Sequence, residues 1–358
     1  MPFDPSPPAQ PAPGTLRARR NERAVAAWLL LVAAMVWAMV ALGGATRLSG
    51  SGLSIMEWSP LLGTLPPLSE AEWTRLYDLY RTIPQYALQN RGFGMEGFKA
   101  IFWLEYLHRL WGRLIGLAFA LPLAWFWWQG RIPAGLKPRL LLLLALGGLQ
   151  GGIGWYMVAS GFEAGRTAVS PYRLVLHLGM AFLIFALLLR TALPLLWPAP
   201  PGASRGPRRA LHLALGLAVA TMLAGGFVAG IRAGFDYNTF PLMAGQFVPD
   251  TYLQLTPWWR NLTGNIAAVQ FNHRLLATAT LLAGGLALAL AWRAPGLRGP
   301  VGLFAATLVA QYGLGVATLL HVVPQGLGTL HQAVAVGVLA AGLVALHAAR
   351  PAGPARLG

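Results

Sequence analysis

Four of the seven histidines stand in matched contexts. Tyr106-Leu107-His108-Arg109-Leu110 recurs as Phe271-Asn272-His273-Arg274-Leu275, and Val175-Leu176-His177 recurs as Thr329-Leu330-His331. Each lies in an apolar stretch, where an ionisable side chain is costly and faces a partner or a cavity. Neutral imidazole is a good metal ligand. Two imidazoles do not close a zinc site, which takes three or four protein ligands. The chain has no cysteine to complete one, which also excludes disulfides, iron–sulfur clusters and cysteine nucleophiles. Two axial imidazoles do complete a haem iron. The pattern predicts one porphyrin site per half, His108 with His177 and His273 with His331.

The position three residues before the first histidine of each pair differs: Glu105 in one half, Gln270 in the other. Residues three apart share a helix face, so Glu105 should lie near whatever His108 binds. Its structural reading is a salt bridge to Arg109, Arg113 or Lys99. Its chemical reading is proton transfer by a buried carboxyl, which Gln270 cannot perform. Arg109 and Arg274 follow their histidines directly. A guanidinium fork suits porphyrin propionates, and the competing role is snorkelling to the interface. His212, His321 and His347 have no counterparts and read as interfacial or hydrogen-bonded.

These residues need elements to position them, and composition says which kind. Charged residues are 11% and hydrophobic residues 56% of the chain. Soluble domains carry about 25% charged residues, so a soluble globule and a disordered chain are both excluded. The reading is an all-α integral membrane protein. An apolar run at 24–42 and segments at about 100–128, 139–160, 173–196, 209–232, 265–292, 299–321 and 327–348 are long enough to span a bilayer. The longest connection, 48–98, should contain a short amphipathic helix at 69–80.

Net charge is +16. Arg17, Arg19, Arg20, Arg23, Arg131, Lys137, Arg139, Arg205, Arg208, Arg209, Arg293, Arg298, Arg350 and Arg356 all fall on one side if eight spans alternate. Short basic connections stay in the cytoplasm. Both termini are therefore expected inside and the long connection outside. The charge reads as topology and attraction to anionic lipid, not as nucleic-acid binding. On this alternation the four matched histidines share one depth, near the outer ends of the even-numbered spans.

Two further matches strengthen the duplication. Gly43-Gly44 corresponds to Gly225-Gly226, and Gln150-Gly151-Gly152-Ile153-Gly154 to Gln311-Tyr312-Gly313-Leu314-Gly315. The glycines of the third and seventh spans read as close helix packing or as clearance for a macrocycle. Two tandem four-helix bundles follow, related by a pseudo-two-fold axis along the membrane normal. The expected division is a disordered tail at 1–23, an N-terminal half at 24–200, a C-terminal half at 205–348 and a second tail at 349–358.

The chain resembles the heme A synthase family. The likeness covers about residues 24–348. It rests on Glu105-Tyr106-Leu107-His108-Arg109, which is similar to a Glu-x-x-His-Arg motif, on His177, His273 and His331, and on the GGATRLSGSGLS segment at 43–54. The resemblance implies oxidation of a ring methyl of haem O to the formyl group of haem A. It implies a haem b cofactor held by His273 and His331, a substrate site lined by His108 and His177, and Glu105 as the key acid. Implied partners are the haem O synthase that supplies substrate and an electron acceptor; a homo-oligomer is left open. Lacking cysteine, the chain is similar to the cysteine-free branch. The implied location is a bacterial cytoplasmic membrane, ahead of the mitochondrial inner membrane. Two other classes compete: a diheme electron-transfer cytochrome, which leaves the Glu105/Gln270 difference unexplained, and a haem transporter or chaperone.

Overall fold

The computed structural model describes residues 13–59, 62–197 and 205–350. Eight of its helices are long and apolar enough to cross a membrane. They are α1 (Pro13–Leu48), α2 (Gly94–Trp128), α3 (Lys137–Ala159), α4 (Pro171–Leu196), α5 (Arg205–Gly230), α6 (Ile266–Ala291), α7 (Pro295–Leu320) and α8 (Gln325–Ala348). The chain is an all-helical, multi-pass membrane protein. Proline sets several starts: Pro171 and Pro295 open α4 and α7, and Pro138 stands in the first turn of α3. There its missing N–H is one that no intrahelical bond would have used. α6 opens on Asn265, whose side chain accepts from the Ala268 N–H (3.0 Å).

The expected spans match these helices to within a few residues except at the start of α2 and at both ends of α1, which runs on to Leu48. α1 begins at Pro13, so residues 13–23 are helical and not tail. α2 begins at Gly94, two turns before its apolar run. The predicted tails at 1–12 and 351–358 lie outside the described residues. The long connection carries the expected short helix, Glu70–Tyr80, capped by Ser69 accepting from the Glu72 N–H (3.2 Å).

Packing runs through α1, α4, α5 and α8. α1 lies along α4 and α8, α5 lies against α4, and α8 also meets α4 and α5. Glycines permit two of these approaches: a Cβ on Gly44 would stand 2.9 Å from Gln332 of α8, and one on Gly226 would stand 2.9 Å from Val175 of α4. One apolar core centres on α1 and α4 through Leu29, Val32 and Leu188, and a second joins α5, α6, α7 and α8 through Leu211, Val301 and Phe304. A third cluster, around Trp73, Tyr80, Phe98 and Phe102, packs the long connection onto the first turns of α2. The end of the bundle that carries this connection is called the loop side below.

Candidate functional site

Each of the four repeated histidines rests on a glycine of the span preceding its own. A Cβ on Gly43 of α1 would lie 3.3 Å from His108 Nε2. One on Gly154 of α3 would lie 3.0 Å from His177 Cε1, one on Gly225 of α5 3.0 Å from His273 Cε1, and one on Gly315 of α7 2.9 Å from His331 Cε1. Any side chain there would press on the ring. The glycines at 154 and 315 therefore make room for the imidazoles themselves, a third role beside the two expected from sequence.

The second histidine of each pair is held in the same way. Gln150 Nε2 donates to the His177 carbonyl (3.0 Å), and Gln311 Nε2 donates to the His331 carbonyl (3.0 Å). Each glutamine stands four residues from its seating glycine, on the same helix face. Nδ1 of His177 and of His331 is buried without a hydrogen-bond partner.

The first histidines differ. His273 Nδ1 lies 3.1 Å from the Thr221 carbonyl, which fixes the proton on Nδ1 and leaves Nε2 as the free nitrogen. Neither ring nitrogen of His108 has a hydrogen-bond partner among the described residues.

Glu105 is buried and receives five contacts. Its Oε1 is met by Arg109 Nε (3.0 Å) and NH2 (2.8 Å). Its Oε2 accepts from the Ser54 N–H (2.7 Å), the Ser54 hydroxyl (2.7 Å) and the Ile55 N–H (3.0 Å). Of the three cations offered by sequence, the partner is Arg109. Arg109 also donates to the carbonyls of Ile55 (2.5 Å) and Glu57 (2.9 Å). Ser54 was not legible as a partner, although it lies in the GGATRLSGSGLS segment.

The other half repeats this clamp. Gln270 Oε1 accepts from Arg274 NH2 (2.6 Å), and Arg274 donates to the carbonyls of Tyr237 (2.7 Å) and Thr239 (2.9 Å). Gln270 Nε2 donates to the carbonyls of Ala233 (2.7 Å) and Asp236 (2.6 Å). Both arginines thus fasten the connection that follows the preceding span, an employment distinct from the propionate contact expected of them. Further out, Arg75 bridges Glu57 and Glu72 (2.8 and 2.7 Å) and holds both carboxyls below the usual carboxylate range.

The three unmatched histidines are hydrogen-bonded: His212 Nδ1 to the Arg208 carbonyl (2.7 Å), His321 Nδ1 to the Ala317 carbonyl (2.8 Å) and His347 Nε2 to the Trp197 carbonyl (2.6 Å).

Among the described residues no group of three or more His, Asp or Glu side chains is placed to hold a metal ion. The imidazole pairs suit a metal that brings its own equatorial ligands.

Residues 26–343 match the COX15-CtaA family model, described as cytochrome oxidase assembly protein. A "Heme A synthase" of Granulibacter bethesdensis is 54% identical over 339 residues, covering 94% of this chain and 90% of its own. One of Rhodospirillum centenum is 52% identical over 346 residues (95% and 92%), and one of Nitrosospira multiformis is 45% identical over 341 residues (92% and 94%). With most of its length matched and identity this high, the chain belongs to the COX15-CtaA family of cytochrome oxidase assembly proteins, among the heme A synthases.

Proposed function

We propose that the chain is a haem A synthase that oxidises a ring methyl of haem O to the formyl group of haem A through a hydroxymethyl intermediate. The observation that carries this reading is the fourfold repetition of one imidazole seated on one glycine, with Glu105 three residues before His108 where the other half has Gln270 before His273. His108 and His177 hold the substrate. His273 and His331 hold a haem b cofactor.

The residues fit a bis-imidazole haem. Buried Nδ1 atoms of His177 and His331 are left unsatisfied by the protein, and a buried polar atom without a partner is costly. The seating glycines leave each ring its space. Haem b, when bound, supplies one-electron transfer. Thr221 sets the tautomer and orientation of His273 for that ligand.

In the first stage the methyl and a water together lose two electrons and two protons, one proton from each, as the carbon–oxygen bond forms; in the second the hydroxymethyl group loses two electrons and two protons to give the formyl group. Glu105 is the group placed to take a proton there, three residues from His108 on one helix face. Arg109 occupies one of its oxygens, and the Ser54 and Ile55 N–H groups with the Ser54 hydroxyl occupy the other. To accept a proton it must release a donor. The Ser54 hydroxyl is the donor free to turn, since the Ile101 carbonyl lies 3.4 Å away as an alternative partner.

The basic connections support an orientation with both termini in the cytoplasm of a bacterial cell and the loop side outside the cytoplasmic membrane. On that orientation substrate arrives from a haem O synthase in the same bilayer, and the electrons leave to a membrane acceptor.

Pigment extracted from the purified full chain tests the reading. Chromatography should give haem b together with haem O, its hydroxylated form or haem A. Haem b alone in both sites would make the protein an electron carrier.

A further inference from the structure

Arg190 stands in α4 after the unbroken apolar stretch 178–189, six residues before the helix ends at Leu196. Its Cα therefore lies about 9 Å inside the end opposite the loop side, at 1.5 Å per residue. The matched residue of α8 is Val344, so the repeat does not call for a charge there. An arginine at this depth is costly unless it finds a partner. Its side chain is long enough to run along the span and bring the guanidinium to the helix end.

More positive charge lies at that end. Arg139 is in the first turn of α3, Arg208 is in the first turn of α5 and Arg350 follows α8. Packing brings the four together. Leu140, next to Arg139, shares a core with Leu188 and Leu189, next to Arg190. Ala210 and Leu211 of α5 share a core with Ala345, Ala348 and Ala349, next to Arg350. His347 Nε2, 2.6 Å from the Trp197 carbonyl, ties the end of α8 to the end of α4. Burial first, and then the charges of Arg190, Arg139 and Arg208, hold the Arg350 guanidinium below its ordinary value. Among the described residues every ion pair lies between residues 57 and 173, and Glu22, the one acid at this end, forms none. Short basic connections follow the rule that keeps them in the cytoplasm, which accounts for Arg139, Arg208 and Arg350. It gives no reason for a fourth cation inside the neighbouring span.

We propose that Arg190, Arg139, Arg208 and Arg350 form a binding site for the phosphate groups of an anionic phospholipid, best matched by one with two phosphates, such as cardiolipin. Four cations without a counter-charge repel one another, and an anion between them removes that cost. Guanidinium forks pair with phosphate oxygens through two parallel hydrogen bonds. Basic pockets between spans hold headgroups of this kind. Arg190, Arg139 and Arg208 are exposed, so lipid of the leaflet opposite the loop side reaches them directly. The four arginines come from α3 and α4 of one half and from α5 and the end of α8 of the other. One bound lipid therefore fastens the two halves together at the end away from the histidines.

The purified full chain, freed of lipid in a neutral detergent, is titrated with cardiolipin, phosphatidylglycerol, phosphatidylcholine and inorganic phosphate. Binding is read from the rise in melting temperature with ligand concentration. Cardiolipin should bind at least about tenfold more tightly than phosphatidylcholine, with phosphatidylglycerol between them. Arg190→Gln combined with Arg139→Gln should reduce the preference for cardiolipin to about twofold or less. Arg293→Gln combined with Arg298→Gln removes the same charge from the connection between α6 and α7 and should leave the preference intact. An unchanged melting temperature without lipid shows that a variant folds. Should the first pair not fold, Arg208→Gln alone should weaken cardiolipin by about threefold. Equal losses in the two double variants would reduce the effect to general surface charge and overturn the site. An undiminished preference without Arg190 and Arg139 overturns it as well. Inorganic phosphate as effective as cardiolipin would make this a site for free anions, and the lipid assignment falls.

Discussion

Glu105 and Gln270 occupy the same place in their two halves and perform the same mechanical task with opposite polarity. Each accepts from an arginine four residues on, and each reaches the connection that follows the preceding span. Glu105 meets backbone N–H groups at Ser54 and Ile55, whereas Gln270 meets backbone carbonyls at Ala233 and Asp236. A carboxylate only accepts and an amide also donates, so each side chain is matched to the backbone it faces. The Glu/Gln difference therefore has a structural cause as well as a chemical one. Around it the C-terminal half is the more closed, with His273 fastened to Thr221 and Tyr312 tied to Thr278. A fixed ring suits a resident group; an unfastened ring suits one that must leave.

The largest expected effect comes from removing one histidine in each half. His273→Ala should abolish the resident haem spectrum and, with it, turnover. His108→Ala should keep that spectrum and lose haem O oxidation by more than about a hundredfold, the upper end of what losing an outer hydrogen-bond partner costs a metal site. Absorption spectra of the two purified variants check this. If His108→Ala loses the resident haem and His273→Ala keeps it, the two halves have been assigned the wrong way round.

Exchanging the clamps sharpens the comparison. Glu105→Gln sets an amide NH2 against either Arg109 or the Ser54 and Ile55 N–H groups. Gln270→Glu sets a carboxylate against two carbonyls. Each mismatch should cost about 1–3 kcal/mol of stability, read as a lowered melting temperature. A proton role adds a second loss to the first variant alone, about 10²–10⁴-fold in turnover. Equal turnover in the two variants at equal stability would reduce Glu105 to a fastening of the connection.

Much of this was legible in the sequence. Apolar length located all eight spans, because crossing a bilayer is a constraint on consecutive residues. The four histidines stood out because local words such as His-Arg-Leu recur along the chain. What failed to show was any contact joining distant words. Ser54 lies fifty-one positions from Glu105, and nothing in either word names the other. The arginines were read through their chemistry with propionates, while their geometry answers to carbonyls in a connection that has no periodicity. Gly154 and Gly315 were visible as repeats, yet what they seat depends on a neighbouring helix. The start of α1 at Pro13 also escaped, since the charged first turns lack the apolar signal by which the span was found.

The smallest expected effects distinguish the seats of the four rings. Alanine at Gly315 or Gly225 places a methyl 2.9 or 3.0 Å from the ring of His331 or His273. Overpacking of this kind costs about 1–3 kcal/mol, and here the atom that must yield is an imidazole. Both variants should therefore release resident haem more readily, measured as haem b retained per chain after gel filtration. Gly154→Ala presses His177 at 3.0 Å in the same way and should weaken haem O binding while leaving the resident haem in place. Gly43→Ala should do least. Its methyl would stand 3.3 Å from His108 Nε2, and that ring has no hydrogen bond holding it against the push. A loss at Gly43 as large as that at Gly315 would show His108 to be as rigidly held as the cofactor ligands, and the contrast between a fixed and a yielding half would then be gone.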